Sequence, residues 1–234
     1  MAPARDLPTS QLMRALLPTT VALHELRRDV EVPLFPEEQR AVSQAVEKRR
    51  REFVTARECV RRAMAELRVP VSAVPRGDRG QPVWPAGLVG SITHCQGYRA
   101  AALARRSDIL GVGIDAEPHA ALPADVLRLT ASPEEMARVD RCAAERPYLH
   151  WSRLLFCVKE AVYKIWFPAE ASWLGFEDVE TDLRSDGTFN ADLARSMHLA
   201  GVKYDRLGGR WAVVGGIITV AIAIPAERGE QPAP

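Results

Sequence analysis

The sequence has no run of about 18 or more apolar residues, the length a membrane-spanning helix needs, so no spanning segment and no membrane partner are expected. Its longest apolar stretch, Trp211–Ile224, is broken by Gly215 and Gly216. The first residues, MAPARDLPTSQLMRALLP, lack a sustained apolar core and a clear cleavage site. No secretory signal is read there, and a cytoplasmic setting is expected. An excess of one charge is missing as well: 31 Lys and Arg against 30 Asp and Glu leave +1, which argues against a general nucleic-acid binder. Cysteine is scarce. Cys59, Cys95, Cys142 and Cys157 lie 36, 47 and 15 residues apart, which fits no paired metal or redox motif. Thiols in a reducing compartment are expected rather than disulfides. Low-complexity segments and repeats of solenoid period are absent too.

What is present is a chain of 234 residues, 47% hydrophobic, which is enough to bury one large core or two smaller ones. The pattern is α+β. Pro36-Glu-Glu-Gln-Arg-Ala opens a first helix, with proline at an early position. A stronger helix is predicted from about Val42 to Leu67, with the stripe Phe53, Ala56, Val60, Met64 and Leu67. Residues 75–90, with four glycines and three prolines, read as a long loop with defined turns. Three β-like runs follow, Ser91–Cys95, Tyr98–Ala104 and Ile109–Asp115, joined by candidate hairpin turns at Gln96-Gly97 and Ser107-Asp108.

A second helical block is predicted from Ser132 to about Phe167. Ser132-Pro-Glu-Glu is a strong helix start, Trp151, Leu154, Leu155, Val158, Val162 and Ile165 form its stripe, and Pro168 is expected to stop it. Further β-runs are Gly175–Asp182, Gly187–Ala191, Arg210–Val214 and Ile217–Ile224. Helix followed by hairpins thus occurs twice, in 36–116 and 132–224, which suggests two similar halves with a ligand groove between them. The Pro- and Ala-rich ends, residues 1–8 and 226–234, are expected to fray.

Four local features could carry chemistry. Gly111-Val-Gly-Ile-Asp115-Ala-Glu117 ends a β-run in two carboxylates two residues apart, on one face of a strand. They could be half of a Mg²⁺ site or two solvated acids. In Phe156-Cys-Val-Lys159-Glu160-Ala-Val-Tyr-Lys164, Glu160 and Lys164 lie opposite the apolar stripe, with Lys159 at its border. Glu160 and Lys164 could be an ordinary i,i+4 surface pair, or part of the equipment for a metal and a phosphate chain. From Glu47 to Arg68 eight Lys and Arg face four Glu, with Arg49 and Arg57 on opposite borders of the stripe and Arg76 and Arg79 in the loop beyond. That is a solvated helix face or the seat of a compact anion. In Ser91-Ile-Thr93-His94, a Ser–His nucleophile has no supporting elbow or acid, and a phosphate-binding cluster fits better. His24, His119, His150 and His198 are isolated.

Taken together, these segments resemble the 4′-phosphopantetheinyl transferases of the Sfp/EntD type, most closely the actinobacterial enzymes that activate siderophore, polyketide and nonribosomal-peptide synthases. The resemblance runs from about residue 40 to 220. It is carried by KRRREFVTARECVRRAM (48–64), RGDRGQPVWPAGLVGSITHC (76–95), LGVGIDAEP (110–118), WSRLLFCVKEAVYKIWFP (151–168) and WLGFEDVE (173–180). It implies a pseudo-twofold fold of two similar α+β halves, 1–120 and 121–225, with the active site at their interface and a flexible tail from 226.

The resemblance further implies a transfer reaction. The 4′-phosphopantetheine arm of coenzyme A passes to a serine of apo acyl or peptidyl carrier proteins, and 3′,5′-ADP leaves. By the same resemblance Asp115, Glu117 and Glu160 hold Mg²⁺ (or Mn²⁺), and Glu160 serves as base. Asp115 and Lys159 are catalytic with it. Lys159 and Lys164 contact phosphates, and Arg49, Arg57 and Arg76 hold the 3′-phosphate and adenine side. Thr93 and His94 touch phosphate oxygens, and Ser91 supports the turn. Two halves forming the site within one chain make a monomer sufficient. Two rivals stand beside this reading: a non-catalytic coenzyme A or nucleotide-binding module, and a metal-dependent phosphohydrolase, which would usually need a richer His/Asp set.

Overall fold

The computed structural model describes residues 12–226; the ends expected to fray lie outside this range, apart from Ala226. In chain order the elements are β1 (Ala22–Leu26), α1 (Pro36–Gln39), α2 (Glu47–Glu66), β2 (Leu88–Cys95), β3 (Tyr98–Arg105), β4 (Ile109–Pro118), α3 (Ala124–Thr130), α4 (Pro133–Glu145), α5 (Trp151–Glu170), β5 (Val179–Leu183), β6 (Thr188–Leu199), β7 (Val202–Val214) and β8 (Ile217–Pro225). They form an antiparallel three-stranded sheet, β1-β3-β2, and an antiparallel five-stranded sheet, β4-β8-β7-β6-β5. The architecture is α+β. Each sheet carries one helix of 20 residues, α2 or α5.

The central strand of the small sheet explains how the two layers meet. β3 reads Tyr-Arg-Ala-Ala-Ala-Leu-Ala-Arg and is buried on both faces. Ala101 and Leu103 pack on Cys59, Val60, Ala63 and Met64 of α2. Ala100, Ala102 and Ala104 face the other way, toward Ile114 and Ala116 of β4 and the N-terminal Leu12, Met13 and Val21. Alternation places these residues, and small side chains let the layers close. In the large sheet the predicted stripe of α5 packs on Ile218, Val220 and Ile222 of β8.

β4 was expected within the first half, ending at residue 120. It hydrogen-bonds along β8 instead, from Ile109 to Pro118. The turn at Ser107-Asp108 is therefore a passage from one sheet to the other and not a hairpin, whereas Gln96-Gly97 does join the paired β2 and β3. The outer edge of β4 faces β2, and side chains complete its hydrogen bonding there. The backbone N–H of Ile114 donates to Ser91 Oγ (3.1 Å), and that of Ala116 to Thr93 Oγ1 (3.0 Å). Edge N–H groups buried without partners would be costly.

Other boundaries shift for local reasons. The second helix begins at Glu47, five residues after the expected start, because Val46 is extended (ψ 154°) and serves as N-cap. Pro168 does not stop α5. It removes one i→i−4 hydrogen bond, a cost that the buried Ile165, Trp166 and Phe167 before it offset, and the helix runs on to Glu170, where Ala171 caps it in the left-handed conformation (φ 50°). The start at Ser132 holds, with a full capping box to Glu135. The sequence reading missed β1, α3 and most of the β6–β7 hairpin. A register shift between Asp192 and Met197 breaks that hairpin's alternation.

α5 lies so close to β4 that Gly113 has no room for a side chain: a Cβ there would stand 2.2 Å from the Ala161 carbonyl oxygen and 2.8 Å from Ile165. Gly113→Ala should therefore lower stability by about 1–3 kcal/mol, the usual cost of overpacking. Denaturant unfolding measures this, and an unchanged midpoint would show that α5 can lift from β4.

Candidate active site

A cavity of about 530 Å³ opens between α2 and α5, where the two sheets meet. Its size suits a small-molecule ligand. Arg49 and Arg57 of α2 and Arg76 and Arg79 of the Gly/Pro loop line one side. Ser91 and His94 of β2 form the floor, and Glu160, Tyr163 and Lys164 of α5 line the other side. The loop is an ordered turn: Arg76 bridges to Pro82, Gly77 N–H donates to Gln81 O (2.8 Å), and Gly80 N–H to Gly77 O (2.9 Å). Gly80 has φ +92°, and a Cβ there would meet the Arg76 guanidinium at 2.7 Å, so glycine is what lets Arg76 fold over the turn.

The basic side is partly built into the core. Arg57 is buried, stacks at 4.1 Å over the Phe53 ring, donates from Nε to Val74 O (2.9 Å) and lies 3.7 Å from Glu38. Burial pulls its pKa down to about 10, which leaves it charged at neutral pH. Arg49 reaches across to His94 Nε2. Burial, and then the Arg49 charge, push the His94 pKa below its ordinary value. Glu52, three residues after Arg49, also lines this side, and sequence reasoning did not single it out. Its spacing from Arg49 on the same helix face was the available signal.

The acidic side lies at the β4–α5 contact. Asp115 is buried; its Oδ1 accepts from Thr93 Oγ1 (2.9 Å) and Lys164 Nζ (2.7 Å), and its Oδ2 is buried with no partner. Burial, and then the Asp115 charge, raise the pKa values of both Glu117 and Glu160. Lys164 also donates to Ile114 O (3.0 Å). The surface i,i+4 pair, one of the two readings of this spacing, does not form: Lys164 spans from α5 to β4 and leaves Glu160 without an ion-pair partner among the described residues.

Two of the assigned residues lie elsewhere than expected, and the acids are not gathered around one point. Lys159 does not reach the cavity. It is 2% exposed, and its Nζ donates to Glu135 Oε2 (2.6 Å), Thr130 O (2.8 Å) and Phe176 O (2.9 Å), all on the far side of α5. A position at the border of an apolar stripe can turn either way, and here the buried acid of the α4 capping box claims it. Thr93 is 1% exposed and is spent on Asp115 and the β4 backbone, so it positions an acid rather than facing a phosphate. Among the described residues no three His, Cys, Asp or Glu side chains assemble as a metal site. Glu117 turns to Arg153 (3.1 Å), a partner the sequence did not suggest, and Asp115 turns to Lys164. The donor chemistry nevertheless suits a hard divalent cation: three carboxylates, two of them, Glu117 and Glu160, with pKa values raised by burial and then by the Asp115 charge, and one buried oxygen unpaired.

Of the remaining positions, Arg49, Arg57, Arg76, Ser91, His94, Glu160 and Lys164 all line the one cavity. The four cysteines are free thiols, and no helix among the described residues is long and apolar enough to cross a membrane.

A family model described as 4′-phosphopantetheinyl transferase N-terminal domain matches residues 37–104, and one described as 4′-phosphopantetheinyl transferase superfamily matches residues 111–214. The two meet where the chain passes between sheets. The chain is 43% identical over 225 residues to the 4′-phosphopantetheinyl transferase PptT of Mycobacterium tuberculosis, covering 91% of this chain and 98% of that protein. It is 43% identical over 224 residues to Svp of Streptomyces mobaraensis (93% and 91% covered) and 41% identical over 223 residues to Npt of Nocardia iowensis (91% and 99% covered), both 4′-phosphopantetheinyl transferases.

The Lys159–Glu135 pair, each side chain 1% exposed, yields a test. Lys159→Met should cost about 3–5 kcal/mol in denaturant unfolding, because it strands the Glu135 charge in the core. A loss below about 1 kcal/mol, the scale of an exposed ion pair, would contradict the buried arrangement.

Proposed function

This chain belongs to the 4′-phosphopantetheinyl transferase superfamily, and on that premise we propose how its cavity transfers the phosphopantetheine arm of coenzyme A to a carrier-protein serine. The observation that carries the reading is the charge layout at one cavity: arginines and His94 toward α2, and Glu160 and Lys164 of α5 opposite them, with Lys164 tied to Asp115 of β4 behind the wall. A ligand with a phosphomonoester at one end and a pyrophosphate further along matches that order.

Arg49, Arg57, Arg76 and His94 bind the 3′-phosphate side of coenzyme A by charge-assisted hydrogen bonds. Lys164 meets the pyrophosphate. Asp115, Glu117 and Glu160 would hold Mg²⁺, or Mn²⁺, which when bound neutralises pyrophosphate charge. The serine hydroxyl is a weak nucleophile at neutral pH and needs a base. Glu160 lines the cavity and accepts no hydrogen bond among the described residues, so its carboxylate is available to take the serine proton. The serine oxygen bonds to the β-phosphorus, the bond from that phosphorus to the bridging oxygen breaks, and 3′,5′-ADP leaves with the electron pair. A non-catalytic coenzyme A module would leave the unpaired Glu160 without a task. Because both long helices of one chain wall the cavity, a monomer suffices. The free thiols are consistent with a reducing, cytoplasmic setting.

Transfer from coenzyme A to an apo carrier protein, read by mass spectrometry, should vanish with a chelator and return with Mg²⁺ or Mn²⁺. Full activity in chelator would remove the metal from this reading. Glu160→Gln keeps the shape and removes the basicity. Coenzyme A should bind within about tenfold of wild type while turnover falls by roughly 100-fold or more. Near-wild-type turnover would exclude Glu160 as the base.

A further inference from the structure

Behind the basic end of the cavity lies a buried ion-pair chain that the transfer reaction does not use. Arg99, on the central strand β3, has 7% side-chain exposure. Its Nη2 stands 3.0 Å from Asp29 Oδ1, in the segment after β1, and 3.7 Å from Glu52 Oε1 on α2. Asp29 is itself tied to α2: it accepts from the Thr55 hydroxyl (3.4 Å), and Thr55 Oγ1 accepts the N–H of Val30 (3.1 Å). The second oxygen of Glu52 lies 3.6 Å from His94 Nε2 and 3.8 Å from Arg49 Nη1. Glu52 is thus held 3.6 Å from His94, 3.7 Å from Arg99 and 3.8 Å from Arg49 without a hydrogen bond to any of them. It is also a carboxylate in the wall of an anion site, where a direct pair with Arg49 would cancel the charge the ligand needs.

We propose that Arg99, anchored by Asp29, is a specificity-determining positioning residue that draws Glu52 back and so keeps Arg49 and His94 free for the phosphate distinguishing coenzyme A from dephospho-coenzyme A. The inference rests on the assignment of that phosphate to Arg49 and His94. Without the Arg99 charge, Glu52 is left half-buried and uncompensated on one side. It then closes on the touching Arg49 and His94, neutralises Arg49, and meets an incoming phosphate with its own negative charge. The residue that harms binding in that state is Glu52, so removing its charge should cure the loss of Arg99. A purely structural role for Arg99 gives no such cure and no selectivity between the two ligands.

Calorimetric binding of coenzyme A and dephospho-coenzyme A to the full chain tests this. Arg99→Gln should weaken coenzyme A about tenfold, the scale of one charge-assisted contact, and change dephospho-coenzyme A by less than about twofold. Arg99→Gln/Glu52→Gln should return coenzyme A to within about threefold of wild type, and Arg99→Lys should keep most of the preference. Glu52→Gln alone should preserve or increase the preference for the 3′-phosphate, which decides the matter if the Arg99→Gln chain does not fold. Equal loss of both ligands in Arg99→Gln, a double variant no better than Arg99→Gln, or a lost preference in Glu52→Gln would overturn the proposal. Wild-type protein with no preference between the ligands, or Arg49→Ala with its preference intact, would overturn the phosphate assignment, and this inference with it.

Discussion

The structure turns on the seam where the outer edge of β4 meets β2. Two hydroxyls, Ser91 and Thr93, stand where a neighbouring strand would supply carbonyls, and they accept the edge N–H groups of Ile114 and Ala116. Side chains two residues apart on a strand share a face, so one pair of hydroxyls closes the seam over two residues of β4. Asp115 sits between those two N–H groups and is gripped by Thr93 from one side and Lys164 from the other. The contact that joins the sheets therefore also sets the acidic end of the cavity. The small residues of β3 and Gly113 of β4 extend the same constraint. They let α2 and α5 approach from opposite sides, so that a gap of about 530 Å³ remains between them.

Electrostatics within that gap are divided by element. α2 and the Gly/Pro loop contribute arginines, with Glu52 among them, and α5 contributes Glu160 and Lys164, the latter tied to Asp115 of β4. The net charge of +1 hides this separation, because the surface elsewhere is laced with compensated pairs such as Arg138–Glu180, Arg206–Asp192 and Arg195–Asp178. What distinguishes the cavity and the seam behind it is incomplete compensation: an orphaned Asp115 oxygen, a Glu160 without an ion-pair partner among the described residues, and a Glu52 that makes no hydrogen bond to the groups 3.6, 3.7 and 3.8 Å away. Incomplete pairing costs stability and is retained where a ligand completes it.

Much of the fold was legible in the chain. The stripes of α2 and α5, the capping box at Ser132 and the β2–β3 hairpin follow from local periodicity and turn chemistry, which act over a few residues. The misplaced features depend on distant partners. β4 has the local pattern of a third strand in a meander, yet it pairs with β8, about a hundred residues later, because β8 offers a full antiparallel partner and β2 offers hydroxyls. The β6–β7 hairpin was hidden by its register shift, and the persistence of α5 past Pro168 by the core packing of Ile165, Trp166 and Phe167, which offsets one lost helical hydrogen bond.

For the site, residue types and spacing determined which positions carry charge, and the resemblance named the chemistry they serve. Arg49, Arg57, Arg76, His94, Glu160 and Lys164 were placed together on that basis, and they line one cavity. Tertiary structure decided the partner of each charge. Lys159 and Glu160 are neighbours in sequence, but a helix turns adjacent side chains about 100° apart, so one meets Glu135 in the core and the other faces the ligand. Glu160 and Lys164 have the spacing of a helical pair, yet Lys164 finds a buried carboxylate on β4 and takes it. The sequence by itself determined the inventory of ionisable groups and the helix faces that bear them. Only the packing of β4 against β2 and α5 decided which groups are neutralised internally and which are left for a ligand, because that depends on distances between segments that no local pattern encodes.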